Sequence, residues 1–174
     1  MSTMNAAPPS LDVRPTVAID FLFLDLSRCG RCRGTGANIE TALAAIDDVL
    51  RATGARVEFR RIHVQSVEQA RELRFVSSPT VRVNDRDIAL EPLESECGVD
   101  VCGCGPGVSC RVWRYGGRDY TEAPVGLIVD AVLSELYAGA TRPDSLAAAY
   151  ELPDNLVRVF AAKDAVAPGG GCCA

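Results

Sequence analysis

Eight cysteines hold most of the chemistry available to this sequence, and they fall into three groups of different local design. Cys29 and Cys32 form a C-x-x-C inside SRCGRCRGT. Cys97, Cys102, Cys104 and Cys110 are spaced C-x4-C-x-C-x5-C in CGVDVCGCGPGVSC, and Cys172 and Cys173 are adjacent in APGGGCCA. Thiolate sulfur is both the nucleophile of disulfide exchange and a soft metal ligand, so grouped cysteines point to redox chemistry or metal binding. Around the first pair, Arg28, Arg31 and Arg33 add positive charge. A thiol at a helix start also meets unpaired N–H groups and the positive end of the dipole, which favour thiolate. On that reading Cys29 attacks, and Cys32, one turn further in, resolves the mixed disulfide. The competing reading is a pair of half-buried thiols in an Arg-rich turn.

The second group, set among glycines and a proline that let sulfurs converge, could hold zinc on the four thiolates of Cys97, Cys102, Cys104 and Cys110. Redox or transient-metal thiols, an iron–sulfur cluster and unliganded thiols are its alternatives. Cys172 and Cys173 end a Gly-rich segment read as flexible. There two vicinal thiolates can capture Hg(II), As(III), Cu(I) or zinc, against the plainer reading of a frayed terminus. Other residues offer less. His63, the only histidine, lies on an alternating strand and reads as a surface or hydrogen-bonded residue. Glu91, Glu94 and Glu96 read as a solvated loop, GTG at 34–36 lacks the remaining glycines of a phosphate loop, and Trp113 with the nearby tyrosines reads as core and hairpin.

The elements that must position these groups follow from periodicity. TVAIDFLFLDL (16–26) is apolar on both faces, as expected of a central strand, with Asp20 and Asp25 as exceptions. After the CGRCRGTG turn, Ile39, Leu43, Ile46 and Leu50 recur at helical spacing up to Gly54. A second strand is expected at 57–64 and a short helix at 67–74. A hairpin in TVRVNDRDIAL turns at Asn84-Asp85, a second in 111–123 turns at Gly116-Gly117, and a helix closes the unit at 124–139. The order is β-α-β-α-β-β-α, with a Cys-rich insertion at 92–123 and a helix-like stretch near the C-terminus interrupted by Pro153. Three segments result: a flexible N-terminus (1–15), an α/β domain (16–140), and a helical extension with a Gly/Cys tail (141–174).

A C-x-x-C at a strand-to-helix junction, followed after a βα unit by Ser-Pro-Thr at the head of a hairpin, resembles the thioredoxin superfamily over 16–91 and the closing helix. The resemblance implies a thioredoxin-like fold, a dithiol at Cys29 and Cys32, and a cis proline, Pro79, beside it. SPTVRVNDRDI with SCRVWRY further resembles small bacterial thioredoxin-like proteins, some carrying organomercury-lyase labels by similarity. CGRC departs from the thioredoxin WCGPC, and neither Asp20 nor Asp25 has the offset of the buried acid those proteins keep. In such a fold the hairpin returns to the active-site end, so an insertion starting near Glu91 should emerge beside Cys29 and Cys32.

Composition bounds the function. At 174 residues, 48% apolar, 24% charged and net charge −5, this is an ordinary globular chain of one domain with an appendage. Without a Lys/Arg-dense face, nucleic acid is not an expected partner. No apolar run reaches membrane-spanning length, and the N-terminus lacks a secretory pattern, so a cytoplasmic location is expected. Stable disulfides are uncommon there, which favours redox or metal roles for the thiols. Two functions remain: a thiol–disulfide oxidoreductase acting on a thiol or disulfide substrate, with the second group holding zinc or relaying electrons; or a binding or detoxification protein for a soft metal ion such as Hg, As or Zn. An organomercury-lyase-like variant of the latter would need an acid to protonate carbon, for which Asp25 is the one candidate.

Overall fold

The computed structural model describes residues 15–89, 91–97, 108–137 and 149–165. They form an α/β arrangement of a mixed four-stranded sheet, a smaller three-stranded sheet and four helices. The first half of the chain supplies β1 (Thr16–Phe23), α1 (Gly30–Thr53), β2 (Arg56–His63), α2 (Val67–Glu72), β3 (Thr80–Val83) and β4 (Arg86–Asp87). The second supplies β5 (Leu93–Glu96), β6 (Ser109–Tyr115), β7 (Arg118–Tyr120), α3 (Val125–Tyr137) and α4 (Asp154–Ala165).

The large sheet has the order β2-β1-β3-β4. β2 runs parallel to β1, whereas β3 is antiparallel to β1, and β4 to β3. β1 is therefore central, and its apolar character on both faces has a direct cause. Val17, Ile19, Phe21 and Phe23 pack with Ile39, Ala42 and Ile46 of α1 and Ile128, Ala131 and Val132 of α3. Leu22, with Leu24 just beyond the strand, faces the other way, onto Val64, Ala70 of α2, Phe75, and Leu156, Val159 and Phe160 of α4. A fully buried side chain of this kind contributes about 1.5–3 kcal/mol. Asp20 sits on this second face and is held by Arg60 through two bonds of 2.5 and 2.7 Å.

Both expected hairpins are present. Asn84 and Asp85 carry φ of 48° and 64°, and Gly116 and Gly117 carry 58° and 75°, the left-handed pairs that a two-residue hairpin turn demands. Two elements differ from expectation. α1 begins at Gly30, not near Asn38, because Cys29 acts as its N-cap. The stretch Leu93–Glu96, expected as solvated loop, is strand β5: it pairs with β6 in the register Ser95↔Cys110 and Glu96↔Ser109, with Glu94 and Glu96 outward. Of the helix-like C-terminal stretch, the part after Pro153 is α4, and residues 144–148 lie outside the described residues. Among the described residues no helix is long and apolar enough to cross a membrane.

Candidate functional site: a dithiol under a strand insertion

The first pair sits where the turn after β1 meets α1. Asp25 builds that turn, its Oδ1 accepting from Ser27 N (2.7 Å), Ser27 Oγ (2.6 Å) and Arg28 N (3.2 Å). Burial pushes the Asp25 carboxyl up, but the Ser27 hydroxyl, the two backbone N–H groups and the charge of Lys163 more than offset it, leaving it below the usual carboxylate range. Asp25 thus holds the loop between β1 and α1. Cys29 follows in extended conformation at the N-cap, and its Sγ accepts from Cys32 N at 3.3 Å. The sulfur occupies the place usually taken by a Ser or Asp oxygen. Cys32 Sγ lies 3.5 Å from Ser78 Oγ, and the Ser78–Pro79 peptide is cis. Ser78 Oγ also accepts from Leu24 N (3.3 Å), so one hydroxyl joins the end of β1, the second cysteine and the segment leading into β3. Cys29 and Cys32 are buried, at 2% and 0% exposure.

The insertion covers this turn. Arg31, between the two cysteines and only 9% exposed, sends Nη1 to Ser95 Oγ (2.9 Å) and Cys110 O (3.3 Å), and Nη2 to Glu96 O (3.2 Å). Arg111 N donates to Ser78 O at 2.8 Å, so β6 docks on the residue that touches Cys32. Further along α1, Thr35 Oγ1 accepts from Ala123 N (3.1 Å) and Asn38 Nδ2 donates to Ala123 O (2.9 Å). Gly34 matters for its missing side chain: a Cβ there would meet the Glu122 carboxylate at 2.1–2.4 Å, so glycine allows the end of the insertion to lie on the first turns of the helix. The expected proximity of the insertion to the dithiol is found. Arg31 and Arg33 also spend donors on carbonyl oxygens, Arg33 on those of Leu26 and Ser27.

Within the insertion, Cys97 and Cys110 are joined as a disulfide, with Cα atoms 5.9 Å apart. The four-thiolate arrangement expected for zinc differs from this form, because two of its four sulfurs are bonded to each other. The cause lies in the strand pairing. Ser95 opposite Cys110, together with Cys97 N donating to Val108 O at 2.9 Å, brings the two cysteines side by side where β5 ends. Cys102, Cys104, Cys172 and Cys173 lie outside the described residues. Among those described, no group of three or more His, Cys, Asp or Glu side chains is arranged to hold a metal.

Several contributors went unread in the sequence. Glu94, though exposed, accepts from Ser77 Oγ (2.6 Å) and Asn155 Nδ2 (3.3 Å). Asn155 also clasps Ser109 through both its N–H (3.1 Å) and its carbonyl (2.7 Å), tying α4 to the insertion. Arg111, 1% exposed, is paired through Nη1 with both oxygens of Asp87 at 2.7 Å and lies over the Trp113 ring at 5.3 Å. Nothing local in the sequence marked Glu94 or Asn155. His63 is hydrogen-bonded, as expected: its Nε2 meets Leu24 O (2.8 Å), its Nδ1 meets Gln65 Nε2 (3.1 Å), and its ring stacks on Phe23. Trp113 is a core residue with no exposure.

A family model described as Domain of unknown function (DUF2703) matches residues 17–132, a span that contains the dithiol, Ser78-Pro79 and the Cys97–Cys110 pair. No curated protein and no solved structure matches the chain.

Proposed function

The chain belongs to the DUF2703 family, and from the geometry inside the matched span we propose a thiol–disulfide oxidoreductase of thioredoxin-like design. The observation that carries the reading is the placement of Cys29 as N-cap of a long helix, its sulfur taking the N–H of Cys32 while the Cys32 sulfur rests on Ser78 before the cis Pro79. The strand order β2-β1-β3-β4, with β1 and β2 parallel, supports the same design.

Each group has a chemical task. The donated N–H and the helix N-terminus stabilise negative charge on Cys29 Sγ, which favours it as the attacking sulfur. It attacks one sulfur of a disulfide, forming a mixed disulfide and releasing the other as thiolate. Cys32 Sγ then attacks Cys29 Sγ, freeing the second half of the substrate and leaving the Cys29–Cys32 disulfide; an external thiol closes the cycle. The Ser78 hydroxyl can donate to Cys32 Sγ and steady its charge, and Pro79, joined to it by the cis bond, contributes no N–H.

The test is reduction of an aromatic disulfide by the reduced protein, followed with Cys29→Ser and Cys32→Ser. Cys29→Ser should abolish the fast phase, and Cys32→Ser should leave a long-lived mixed disulfide on Cys29. Equal rates in all three proteins refute the proposal.

A further inference from the structure

The order β2-β1-β3-β4 puts β2 at the edge of the large sheet, and among the described residues no strand pairs with its outer side. Which backbone groups face outward follows from its bonds to β1. Arg56 N donates to Pro15 O and Val64 N to Phe23 O, both at 2.9 Å, so the even-numbered residues of β2 turn their N–H and C=O towards β1. Val57, Phe59 and Arg61 therefore present theirs at the open edge. The side chains are sorted as well. Val57 and Phe59 lie half-buried on the α1 side, where Arg61 meets Glu40, while Glu58 and Arg60 are exposed on the opposite face, where Arg60 holds Asp20. A shallow groove lined by Leu43, Asp47, Leu50, Arg51, Ala55 and Val57 lies beside the strand, so apolar surface there is left partly open. Charged residues on an edge usually keep other strands away. Here their order permits one partner.

We infer that β2 is a self-pairing edge: a second copy of the chain docks on it antiparallel, β2 on β2 about a two-fold axis at Phe59, joining the two four-stranded sheets. In that register Phe59 meets the partner's Phe59 and Val57 the partner's Arg61, exchanging the outward N–H and C=O groups as hydrogen-bonded pairs. Glu58 falls opposite the partner's Arg60, and by symmetry Arg60 opposite the partner's Glu58. These are non-hydrogen-bonded positions, where Cα atoms approach to about 4.5 Å and side chains are closest. Arg60 keeps Nη1 for the contact, because its bonds to Asp20 use Nε and Nη2. On the α1 side the two Phe59 rings come together and cover surface that each copy leaves half-open. Neighbouring registers fail on charge. Centring on Glu58 sets it against the partner's Glu58 and Arg56 against the partner's Arg60, and centring on Arg60 sets it against the partner's Arg60. A slip of one residue brings opposite faces of the two sheets together. The charges that guard the edge thus select one register of the chain's own copy.

The experiment takes the full chain through sedimentation velocity from low to high micromolar concentration, with non-reducing denaturing electrophoresis to set aside covalent dimers, and follows amide hydrogen exchange by NMR at both ends of the range. Wild type should pass from monomer to dimer. In the dimer the amides of Val57, Phe59 and Arg61 should become protected, whereas those of Glu58, Arg60 and Ile62, which face β1, are protected in both states. Glu58→Lys sets a cation against the partner's Arg60 at two places and should weaken the dimer by about tenfold or more. Glu72→Lys, the same change of charge on an exposed residue of α2, should leave it unaltered. Circular dichroism and thermal melting confirm that each variant is folded, and the wild-type measurements need no substitution. A monomer at every concentration, a dimer whose three outward amides stay unprotected, or a Glu58→Lys protein that dimerises like wild type overturns the inference. Protection of those amides in a monomer overturns it too, and assigns the edge to another segment of the same chain.

Discussion

Arg31→Met tests whether the clamp between α1 and the insertion holds the dithiol covered. Methionine keeps most of the aliphatic stem and removes the guanidinium, so packing near the helix is largely retained. The Cys110 carbonyl, paired with Ser95 across the strands, then loses its bond from a charged donor, at a cost of about 1–3 kcal/mol. The Ser95 hydroxyl and Glu96 carbonyl are partly exposed and regain water, at about 0.5–1 kcal/mol each. Their sum is about 2–5 kcal/mol, and removing the desolvation of a nearly buried cation offsets part of it, so about 2–3 kcal/mol of destabilisation is expected. For a chain of this length that lowers Tm by about 4–12 °C. Because the lost bonds are those that dock β5 and β6 over the turn, Cys29 and Cys32 should alkylate faster in native buffer, at temperatures where circular dichroism still reports a folded protein. A Tm within about 2 °C of wild type, with unchanged alkylation at both cysteines, would show that Arg31 clamps nothing.

Ser78→Ala leaves the buried Leu24 N without its acceptor and should cost about 1–3 kcal/mol in urea unfolding, while prolonging the mixed disulfide on Cys29 because Cys32 loses its hydroxyl neighbour. Asp25→Ala should lose about 1 kcal/mol at neutral pH, where the carboxylate accepts from Ser27 and Arg28. Its folded-state pKa is depressed, so that contribution is fully present above the unfolded value of about 3.9 and disappears as pH falls through the lower folded value; an acid series of melts on both proteins should show the difference closing there. Asp87→Ala strands the buried Arg111 charge and should cost about 3–5 kcal/mol, and adding Arg111→Met should recover much of it; costs that simply add would refute the coupling.

The large sheet and the β6–β7 hairpin were legible because β1, β2 and the Asn84-Asp85 and Gly116-Gly117 turns carry strong local signals that tertiary contacts reinforce. The start of α1 was not. Gly34 and Gly36 each weaken a helix by about 1 kcal/mol relative to Ala, so the segment reads as a turn. Their use appears only in three dimensions, where Gly34 admits Glu122 and a Cβ on Gly36 would come within 3.3 Å of the Phe21 ring. At the candidate site, Cys29 and Cys32 follow from motif and spacing, and Pro79 from the resemblance. The Cys97–Cys110 pairing does not, because four cysteines allow several connectivities as well as a metal, and the choice rests on the register of a strand, LESE, whose outward glutamates disguise it. Likewise Asn155 meets Ser109 across 46 residues, a contact that no local pattern encodes.

Because α4 completes the second face of β1, the order in which the chain is synthesised bears on its folding. Leu22 and Leu24 are made early, Val64, Ala70 and Phe75 next, and Leu156, Val159 and Phe160, which finish that cluster, come some 80 residues after Phe75. Tyr150 waits equally long to give its hydroxyl to the carbonyls of Ala70 and Phe75. A nascent chain that has already assembled α1 and α3 on one side therefore still shows an apolar face on the other, the kind of surface that recruits chaperones or associates with itself. Slow translation through the segment before α4 would lengthen that exposure, whereas a polar substitution at Phe160 would make it permanent.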